Sequence, residues 1–519
     1  MRRTTALLFL LLIAPLHAQP VAAASAFDPH LIANVYVTAL AFMAPRTLDP
    51  VPASQLTIWG LNGLTALDPD LATGTHDNKL QLIDRNRLLA ERPPPASSDV
   101  EAWAVLASEF ATVAANSSNP VRRAGTQGVV QSFFDELFNH LDPYSRYVGP
   151  SDANEDRERR SGEAGAGLQL TQRGAATVVL SAVFDGPGAR AGIRPGDIIV
   201  SVDGKPTKGK DARQVAEMID GPEQTAVTIA WRSRDGRSHS IDLVRATVPP
   251  ETVYAQRIDN MLAIQITAFN RTTAAHLAEA IQEGLAVQHQ PDGIVLDLRG
   301  NPGGLLRQAV EAADELLPAG IVVTTAGRDP DATRVWRSNG GELAEYVPVV
   351  VLVDGRTASA AEILAAALAD RGRAVVVGSA TLGKGLVQTI APLPDGGELF
   401  VTWSRVLAPR GWPLQGLGVL PQVCTSLGQD SLALQLATLA QGKDAMAPAI
   451  TAERAARAPL TPAAILEMRN ACPAAGGRDV DMDAARALIH DPASYAAALL
   501  PPMRQGAELS GISPMKIDH

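Results

Sequence analysis

The stretch VPVVVLVDG (residues 347–355), followed by TASAAEILAAALAD (residues 357–370), decides how the centre of this chain folds. A run of Val and Leu without polar alternation predicts a strand buried on both faces, and the Ala-rich segment after it predicts a helix. GIVLDLRG (residues 293–300) and RAVVVGSA (residues 373–380) repeat the strand pattern, and a second helical segment follows the first of them at residues 305–317. This alternation predicts an α/β fold with a parallel sheet covered by helices.

Three loops follow these predicted strands: NPGG (residues 301–304), the segment around Ser359, and TLGKG (residues 381–385). The carboxyl ends of parallel strands meet at one edge of a sheet, where α/β proteins hold their active sites, so the loops should converge. Ser359 lies where the helix begins. Serine is a common helix N-cap there, and the positive end of the helix dipole would also stabilise negative charge on a reacting serine. This segment alone leaves both interpretations open.

A serine nucleophile needs a base, and none of the nine histidines lies in these loops, whereas Lys384 does. A lysine acts as a base only when it is neutral, which requires burial in apolar surroundings to lower its pKa by about three units. The backbone N–H groups of Gly303 and of Ala360, the residue after the serine, could form an oxyanion hole. Taken singly, each of these features is more often an ordinary turn or cap.

The segments DLRGNPGG, TASAAE, VVGSATLGKGLVQT and RVLAPRGWPLQGLGVLPQ occur in this order along the chain. Together with LDPYSRYVGPSD before them, they resemble the carboxyl-terminal processing proteases, which are tail-specific serine peptidases with a Ser/Lys dyad. The resemblance covers about residues 133–422. It implies a crotonase/ClpP-like βα protease core in which Ser359 is the nucleophile, Lys384 the general base and Gln388 the residue that orients the lysine.

The spacing of this set also matches the family, with 25 residues from Ser359 to Lys384 and four from Lys384 to Gln388. Asp370 matches an acidic position of the family, and we interpret it as supporting structure. One departure is that the family's SASE is SAAE here, so a second serine is lost at Ala361.

A different texture between residues 161 and 248 predicts a small β-rich domain inserted before the core. GAGLQL (residues 165–170) resembles the carboxylate-binding loop of a PDZ domain, and GPGARAGIRPGDIIVSVDG (residues 186–204) resembles the middle of one. The bound peptide would add as a strand, with Val215 and Ile219 lining its side-chain pocket. Consecutive backbone N–H groups would form a nest for a C-terminal carboxylate at Gly165, Ala166, Gly167 and Leu168. A Gly-rich turn without a ligand is the alternative.

The first residues, Met-Arg-Arg followed by ALLFLLLIAPL, predict a secretory signal peptide that is cleaved after Ala18 or Ala26, and therefore export to the periplasm. No later run reaches the roughly 18 apolar residues of a membrane span, so no integral membrane segment is expected after cleavage. The net charge of −10 without a basic stripe argues against nucleic-acid binding. In an exported protein we expect Cys424 and Cys472 to pair, two buried thiols being the alternative.

The sequence therefore predicts five segments: a signal peptide (1–26), a mostly helical N-terminal region (27–160), a PDZ-like domain (161–248), a protease core (249–424) and a helical C-terminal extension (425–519). We expect no cofactor and no metal. The expected partners are C-terminal segments of exported proteins, and a homo-oligomer or an adaptor protein remains open. A catalytically silent PDZ protein and a crotonase-like acyl-CoA enzyme are the alternative functions. The intact Ser/Lys/Gln set argues against the first, and export together with the PDZ-like domain argues against the second.

Overall fold

The computed structural model describes residues 27–161, 163–183 and 186–502, so the predicted signal peptide and its two cleavage sites lie outside the described residues. The chain forms two compact units. One contains the described residues up to Ala41, Val51–Pro143 and Leu393–Asp395, and the other contains Phe42–Pro50, Tyr144–Pro392 and the residues from Gly396 onward. Among the described residues, no helix has the length and apolar character needed to cross a membrane.

The first unit combines helices with a small antiparallel sheet of order β1-β2-β3. Its elements are α1 (Pro29–Met43), α2 (Ala53–Leu61), α3 (Gly63–Leu67), β1 (Leu71–His76), β2 (Lys79–Asp84), β3 (Arg87–Arg92), α4 (Val100–Ser117) and α5 (Asn119–Phe138). The sequence predicted the helices and missed the sheet. The two residues between β1 and β2, Asp77 and Asn78, have φ values of 47° and 56°, as a tight two-residue hairpin requires.

The second unit begins with a segment that leads into the β-rich domain. The elements are β4 (Arg146–Val148), α6 (Pro150–Ser161), β5 (Glu163–Gly165), β6 (Leu168–Arg173), β7 (Ala176–Ala182), α7 (Pro187–Arg190), β8 (Ile198–Val202), β9 (Lys205–Pro206), α8 (Ala212–Ile219), β10 (Ala226–Arg232), β11 (Ser238–Val244) and β12 (Ala246–Val248). The sheet has the order β11-β10-β8-β7-β6 with antiparallel neighbours, so β6 lies at its edge. Helix α8 packs its buried Val215 and Ile219 into the core of this domain.

The remaining strands form the α/β core. The elements are β13 (Val253–Ile258), β14 (Met261–Ile266), α9 (Thr273–Leu285), β15 (Gly293–Asp297), α10 (Leu306–Asp314), β16 (Gly320–Gly327), a 3₁₀ turn (Pro330–Ala332), β17 (Arg334–Ser338), β18 (Val349–Val353), α11 (Ala360–Asp370), β19 (Ala374–Gly378), β20 (Leu386–Pro392), β21 (Glu398–Leu407) and β22 (Val423–Cys424). The main sheet has the order β13-β14-β15-β18-β19-β22. Its strands from β14 to β22 are parallel, as predicted. A second, antiparallel sheet has the order β17-β16-β21-β20, with β4 paired to β21.

Helices after residue 424 complete this core. They are α12 (Gln429–Leu439), α13 (Ala447–Ala455), α14 (Pro462–Arg469), α15 (Asp479–His490) and α16 (Pro492–Ala498). Side chains of β18 alternate between two apolar clusters. Val349, Val351 and Val353 face the side covered by α9, α10 and α11, and Val350 and Leu352 face the side covered by α12, α15 and α16. Both faces of the sheet are buried, as the sequence predicted. The helices that cover one of these faces lie beyond the boundary expected at residue 424.

Candidate active site

The loops after β15, β18 and β19 meet at one edge of the parallel sheet, as the sequence predicted. The N–H of Ala358 donates to the carbonyl of Asn301 at 2.9 Å, and the N–H of Leu382 donates to the carbonyl of Thr357 at 2.9 Å. Gly303 has φ 96°, and a Cβ at that position would lie 2.7 Å from the Cβ of Ser359. Only glycine allows this approach, so the NPGG turn is held directly against the serine.

A buried carboxylate that no sequence pattern indicated joins two of these loops to the C-terminal segment. Asp354, 1% exposed, accepts hydrogen bonds from the backbone N–H groups of Gly300 at 2.9 Å, Thr357 at 3.0 Å and Gly477 at 3.1 Å. Burial disfavours its charge, but the backbone donors outweigh burial and lower the pKa of Asp354. The ionised carboxylate therefore ties the loop after β15, the loop after β18 and the C-terminal segment together.

The backbone at Ser359 differs from that of an ordinary N-cap residue. Ser359 has φ 55° and ψ −117° and directly precedes α11. An ordinary N-cap residue adopts an extended conformation, whereas a non-glycine residue held at positive φ stores roughly 1–3 kcal/mol of strain that the surroundings must offset. A strained serine between a buried strand and a helix is the arrangement that exposes a nucleophilic hydroxyl in several hydrolases.

Glu362 joins the serine to the loop of Lys384. Its Oε2 accepts from the N–H of Ser359 at 2.7 Å and from the N–H of Lys384 at 2.9 Å. Its Oε1 accepts from the N–H of Gly383 at 2.7 Å and from the hydroxyl of Thr381. The side chain is fully buried, and burial raises the pKa of Glu362 while the four donors oppose that rise. One carboxylate thus fixes both loops, and the signal for it was the glutamate three residues after a helix-initial serine.

Lys384 lies in surroundings that favour its neutral form. Burial lowers the pKa of Lys384, the charge of Arg146 lowers it further, and Glu362 opposes the shift. The Nζ atom lies 5.1 Å from the centre of the Tyr144 ring, a cation–π contact that, like Glu362, favours the charged form. Tyr144 and Arg146 come from the segment LDPYSRY, to which the sequence analysis assigned no role in the site.

The side chains of Ser359, Lys384 and Gln388 form no hydrogen bonds with one another in the described part of the chain. Among the described residues, no hydrogen bond joins the Ser359 hydroxyl to the Lys384 ammonium. The Gln388 amide donates to the carbonyl of Leu386 at 3.2 Å and to the hydroxyl of Thr402 at 3.1 Å, not to Lys384. A shift in the β20–β21 register falls at Gln388. The loops converge, and the roles of Ser359, Lys384 and Gln388 stay predictions.

The backbone donors for an oxyanion differ from those expected in one respect. The N–H of Gly303 donates to Oδ1 of Asn301 at 2.8 Å, so the expectation that Gly303 supplies a donor does not fit this arrangement. The N–H groups of Gly304 and Ala360 have no hydrogen-bond acceptor in the described part of the chain. Ala360 was expected as a donor, and Gly304 is the neighbouring residue with an open N–H.

The PDZ-like residues are brought together around one end of β6. The carbonyls of Ala166 and Gly167 accept from the N–H groups of Gly188 and Val183 at 2.7 and 2.8 Å, which orders the loop that also contains Gly165. Gly167 has φ 68°. Leu168 is half-buried against the domain core.

The side-chain pocket expected beside α8 is closed. Val215 and Ile219 are 0% and 3% exposed, because they pack into the core of the domain. No strand of the described residues pairs with the outer side of β6, so another strand can add there.

Known families match both the α/β core and the β-rich domain. Peptidase family S41 matches residues 260–425, and a PDZ domain matches residues 178–233. The carboxy-terminal-processing protease of Bartonella bacilliformis is 33% identical over 302 residues, which is 57% of this chain and 69% of that protein. The carboxy-terminal processing protease CtpA of Bacillus subtilis is 34% identical over 303 residues, which is 58% of this chain and 63% of that protein.

Among solved structures, the photosystem II D1 C-terminal processing protease is 27% identical with a TM-score of 0.38, covering 73% of this chain and 97% of that one. The two sequence relatives, the match to the S41 core and the match to the PDZ domain agree with one another. The chain belongs to the carboxyl-terminal processing proteases of peptidase family S41, a family of serine peptidases, and it carries a PDZ domain.

Proposed function

We propose that this chain is an exported serine endopeptidase that recognises free protein C-termini through its PDZ domain and cleaves upstream of them, processing or degrading envelope proteins. The observation that carries the proposal is the shared carboxylate of Glu362. It binds the backbone of the nucleophile Ser359 and of the base Lys384 through one oxygen, at 2.7 and 2.9 Å. A single carboxylate on both backbones fixes the serine relative to the lysine loop, as joint action of the two residues requires.

In this proposal, neutral Lys384 takes the proton from Oγ of Ser359 as the oxygen attacks the carbonyl carbon of the substrate. The C–N bond then breaks, and the lysine gives the proton to the leaving amine. Lys384 then takes a proton from water as the water oxygen attacks the acyl carbonyl, the ester bond to Oγ breaks, and the lysine returns the proton to Ser359. The lowered pKa of Lys384 supports its part, because the neutral form is the one that accepts a proton.

The negative charge that develops on the substrate oxygen needs donors on the other side. The open N–H of Ala360, at the N-terminus of α11, is well placed for this, and Gly304 is the partner that we assign in place of Gly303. Gln388 orients Lys384 in this proposal. Its amide must then leave the carbonyl of Leu386 and the hydroxyl of Thr402, to which it now donates.

Substrate recognition rests on the edge strand β6 and the loop before it. A C-terminal peptide would add as a strand beside β6, with its carboxylate at the N–H groups of residues 165–168. Because Val215 and Ile219 are buried, binding requires α8 to move away from β6 and open the pocket for the last side chain. The signal peptide predicted at residues 1–26 supports export.

A fluorophosphonate probe, which reacts with an activated serine, tests the catalytic part on the protein without its signal peptide. We expect wild-type protein to be labelled at Ser359, and Ser359→Ala to lose both labelling and hydrolysis of a peptide with a free C-terminus. Ser233→Ala removes a half-buried serine hydroxyl that donates to Asp235, and this control should keep both. Labelling that survives in Ser359→Ala, or a wild type that neither labels nor hydrolyses, would show that the chain is a binding protein or uses another serine.

A further inference from the structure

A side chain of the C-terminal helices contacts the loop that carries Lys384. Arg469, the last residue of α14, donates through Nη2 to the carbonyl of Thr381 at 2.8 Å. Its Nη1 donates to the carbonyl of Leu417 at 2.6 Å and to that of Gly416 at 3.4 Å. One guanidinium therefore binds two segments of the core at once.

The first of these segments is the start of the base loop (residues 381–385), and the second, residues 415–417, packs against the rest of that loop. The N–H of Gly416 donates to the carbonyl of Gly383 at 2.9 Å, and the N–H of Gly385 donates to Oε1 of Gln415 at 2.9 Å. Thr381, which is fully buried, has its carbonyl on Arg469 and its hydroxyl on Glu362. The backbone on both sides of Lys384 is thus held by Glu362 from within the core and by Arg469 from the C-terminal helices.

The end of α14 is itself fixed by a covalent bond. Cys472 forms a disulfide with Cys424, which confirms the expected pairing. The N–H of Cys472 donates to the carbonyl of Arg469 at 3.2 Å, so the disulfide lies one helical turn from the arginine. Cys424 belongs to β22, the parallel neighbour of β19, and β19 leads into the base loop. The disulfide therefore ties the helix that carries Arg469 to the same edge of the sheet.

We propose that Arg469 is a positioning residue for the base Lys384, and that the Cys424–Cys472 disulfide holds Arg469 in place. The inference rests on the proposed function of Lys384 as the base. Arg469 acts through the backbone of Thr381, so it does not touch the substrate. Its loss lets the base loop move, and a displacement of about 1 Å between reacting groups is enough to slow a reaction by about a hundredfold.

The test compares Arg469→Met with Arg457→Met. Methionine keeps an apolar stem and removes the donors in both variants. Arg457 also donates to backbone carbonyls, those of Arg454, Ala456 and Arg410, and none of these lies in the base loop. We expect kcat for peptide hydrolysis to fall at least tenfold in Arg469→Met with KM within twofold, and the fluorophosphonate labelling rate to fall in parallel.

Arg457→Met should keep kcat within twofold of the wild type. Arg469→Lys, which keeps one donor within reach of Thr381, should recover part of the activity. Equal kcat values for the Arg469 and Arg457 variants would overturn the inference while leaving an active wild type and its dependence on Ser359 intact. A wild type without hydrolysis would overturn the proposed function and this inference together.

Reduction tests the tether, and it stays informative if Arg469→Met folds poorly. A dithiol such as dithiothreitol transfers two electrons and two protons to the disulfide, gives two cysteine thiols, and becomes a cyclic disulfide. We expect reduction to lower kcat of the wild type at least fivefold and to lower kcat of Arg469→Lys by a smaller factor, because the contacts to Gly416 and Leu417 are already lost in that variant. The same factor in both proteins, or no effect in the wild type after mass measurement has confirmed two thiols, would show that the disulfide does not act through Arg469.

Discussion

The backbone N–H of Ser359 donates to Oε2 of Glu362 at 2.7 Å, so the residue proposed as nucleophile is held by a side chain of its own helix. This is one half of a capping box, a common way to begin a helix. Here the same oxygen also accepts from the N–H of Lys384, 22 residues further along the chain. A local capping interaction has thus become the connection between two loops of the site.

Glu362→Gln should therefore lower both stability and activity. The glutamine amide offers an NH₂ group where the carboxylate had an acceptor, which leaves at least one buried N–H without a partner and costs about 1–3 kcal/mol. We expect urea unfolding to report that loss and kcat to fall at least tenfold, since both loops lose a contact. Glu101→Gln, an exposed first-turn glutamate of α4, should change neither. A Glu362→Gln protein with wild-type kcat would show that the carboxylate supports only the fold.

Lys384→Arg should abolish hydrolysis although the positive charge is kept. An arginine stays protonated over the accessible pH range, so it has no lone pair with which to accept the proton of Ser359. The measurement is kcat on a peptide with a free C-terminus, with circular dichroism to confirm folding. Hydrolysis by the folded arginine variant would remove Lys384 from the role of base.

The pH dependence of hydrolysis should follow Lys384 and move when Arg146 is replaced. Only the neutral lysine accepts a proton, so activity rises as pH increases through its pKa. The charge of Arg146 disfavours a second positive charge and lowers the pKa of Lys384, so Arg146→Met should raise that pKa and move the rise in activity to higher pH. At pH 7 the variant should therefore be slower than the wild type.

Two controls isolate the charge from the packing of this arginine. Arg146 lies over the Phe400 ring at 3.9 Å, and Arg334 lies over Trp336 at 4.8 Å, so Arg334→Met removes a similar contact elsewhere. Arg146→Lys keeps the charge, and its profile should stay close to that of the wild type. A profile that does not move in Arg146→Met, or one that is flat from pH 5 to 9 in the wild type, would contradict a lysine base tuned by Arg146.

The sequence predicted the parts of the site that lie next to strand ends. Ser359, Lys384 and the NPGG turn each follow a buried apolar run, and parallel strands must bring such ends to one edge. Contacts that depend on side chains from distant segments were beyond this reasoning. Tyr144 precedes the PDZ-like domain, and Arg469 lies in the helices after residue 424. No local sequence pattern relates either residue to Lys384.

The sequence predicted the helices after residue 424 as an extension separate from the core, although they cover one face of its sheet. An uninterrupted apolar strand shows that both of its faces are covered, but not which helices cover them. Val350 and Leu352 face helices that begin after residue 424. The predicted domain boundary at that residue therefore divides the sheet from a helical layer of the same core. Gly303 is a second case. A glycine-rich turn predicts a close approach of the backbone, but it does not predict that the N–H of Gly303 donates to the side chain of Asn301.

Asp370 should be important for stability and not for chemistry. It is fully buried at the end of α11, where it accepts from Arg454 Nε at 3.0 Å and from Trp412 Nε1 at 2.8 Å. Asp370→Asn leaves the buried Arg454 with Glu453 as its remaining carboxylate, so the loss should stay below the about 3–5 kcal/mol that an uncompensated buried charge costs. Urea unfolding measures the loss, and fluorophosphonate labelling of the folded fraction should persist. Asp483→Asn, an exposed partner of Arg486, should leave the free energy of unfolding nearly unchanged. Equal stabilities of the two variants would contradict this role.

The PDZ domain should make hydrolysis depend on the free C-terminal carboxylate of the substrate. Hydrogen bonds to a charged group contribute about 1.5–3 kcal/mol each, and 1.4 kcal/mol corresponds to a tenfold change in affinity. A peptide with a C-terminal amide should therefore have a KM at least tenfold higher than the identical peptide with a C-terminal acid. Equal cleavage of the two peptides would make the PDZ domain a structural module and leave the Ser359 and Lys384 proposal standing.

Gly167→Val should remove this discrimination between acid and amide. Gly167 has φ 68°, and a Cβ there would lie 3.1 Å from Cγ1 of Val248, so a β-branched side chain distorts the loop whose N–H groups bind the carboxylate. Gly174 has φ 60° and no atom within 4 Å of such a Cβ, and it lies in the turn at the other end of β6. Gly174→Val thus carries the same backbone strain without touching the loop.

We expect the ratio of KM values for amide and acid to approach one in Gly167→Val and to stay above ten in Gly174→Val. A loss of discrimination in both variants would mean that it depends on the stability of the whole domain, and its retention in both would place carboxylate recognition outside residues 165–168.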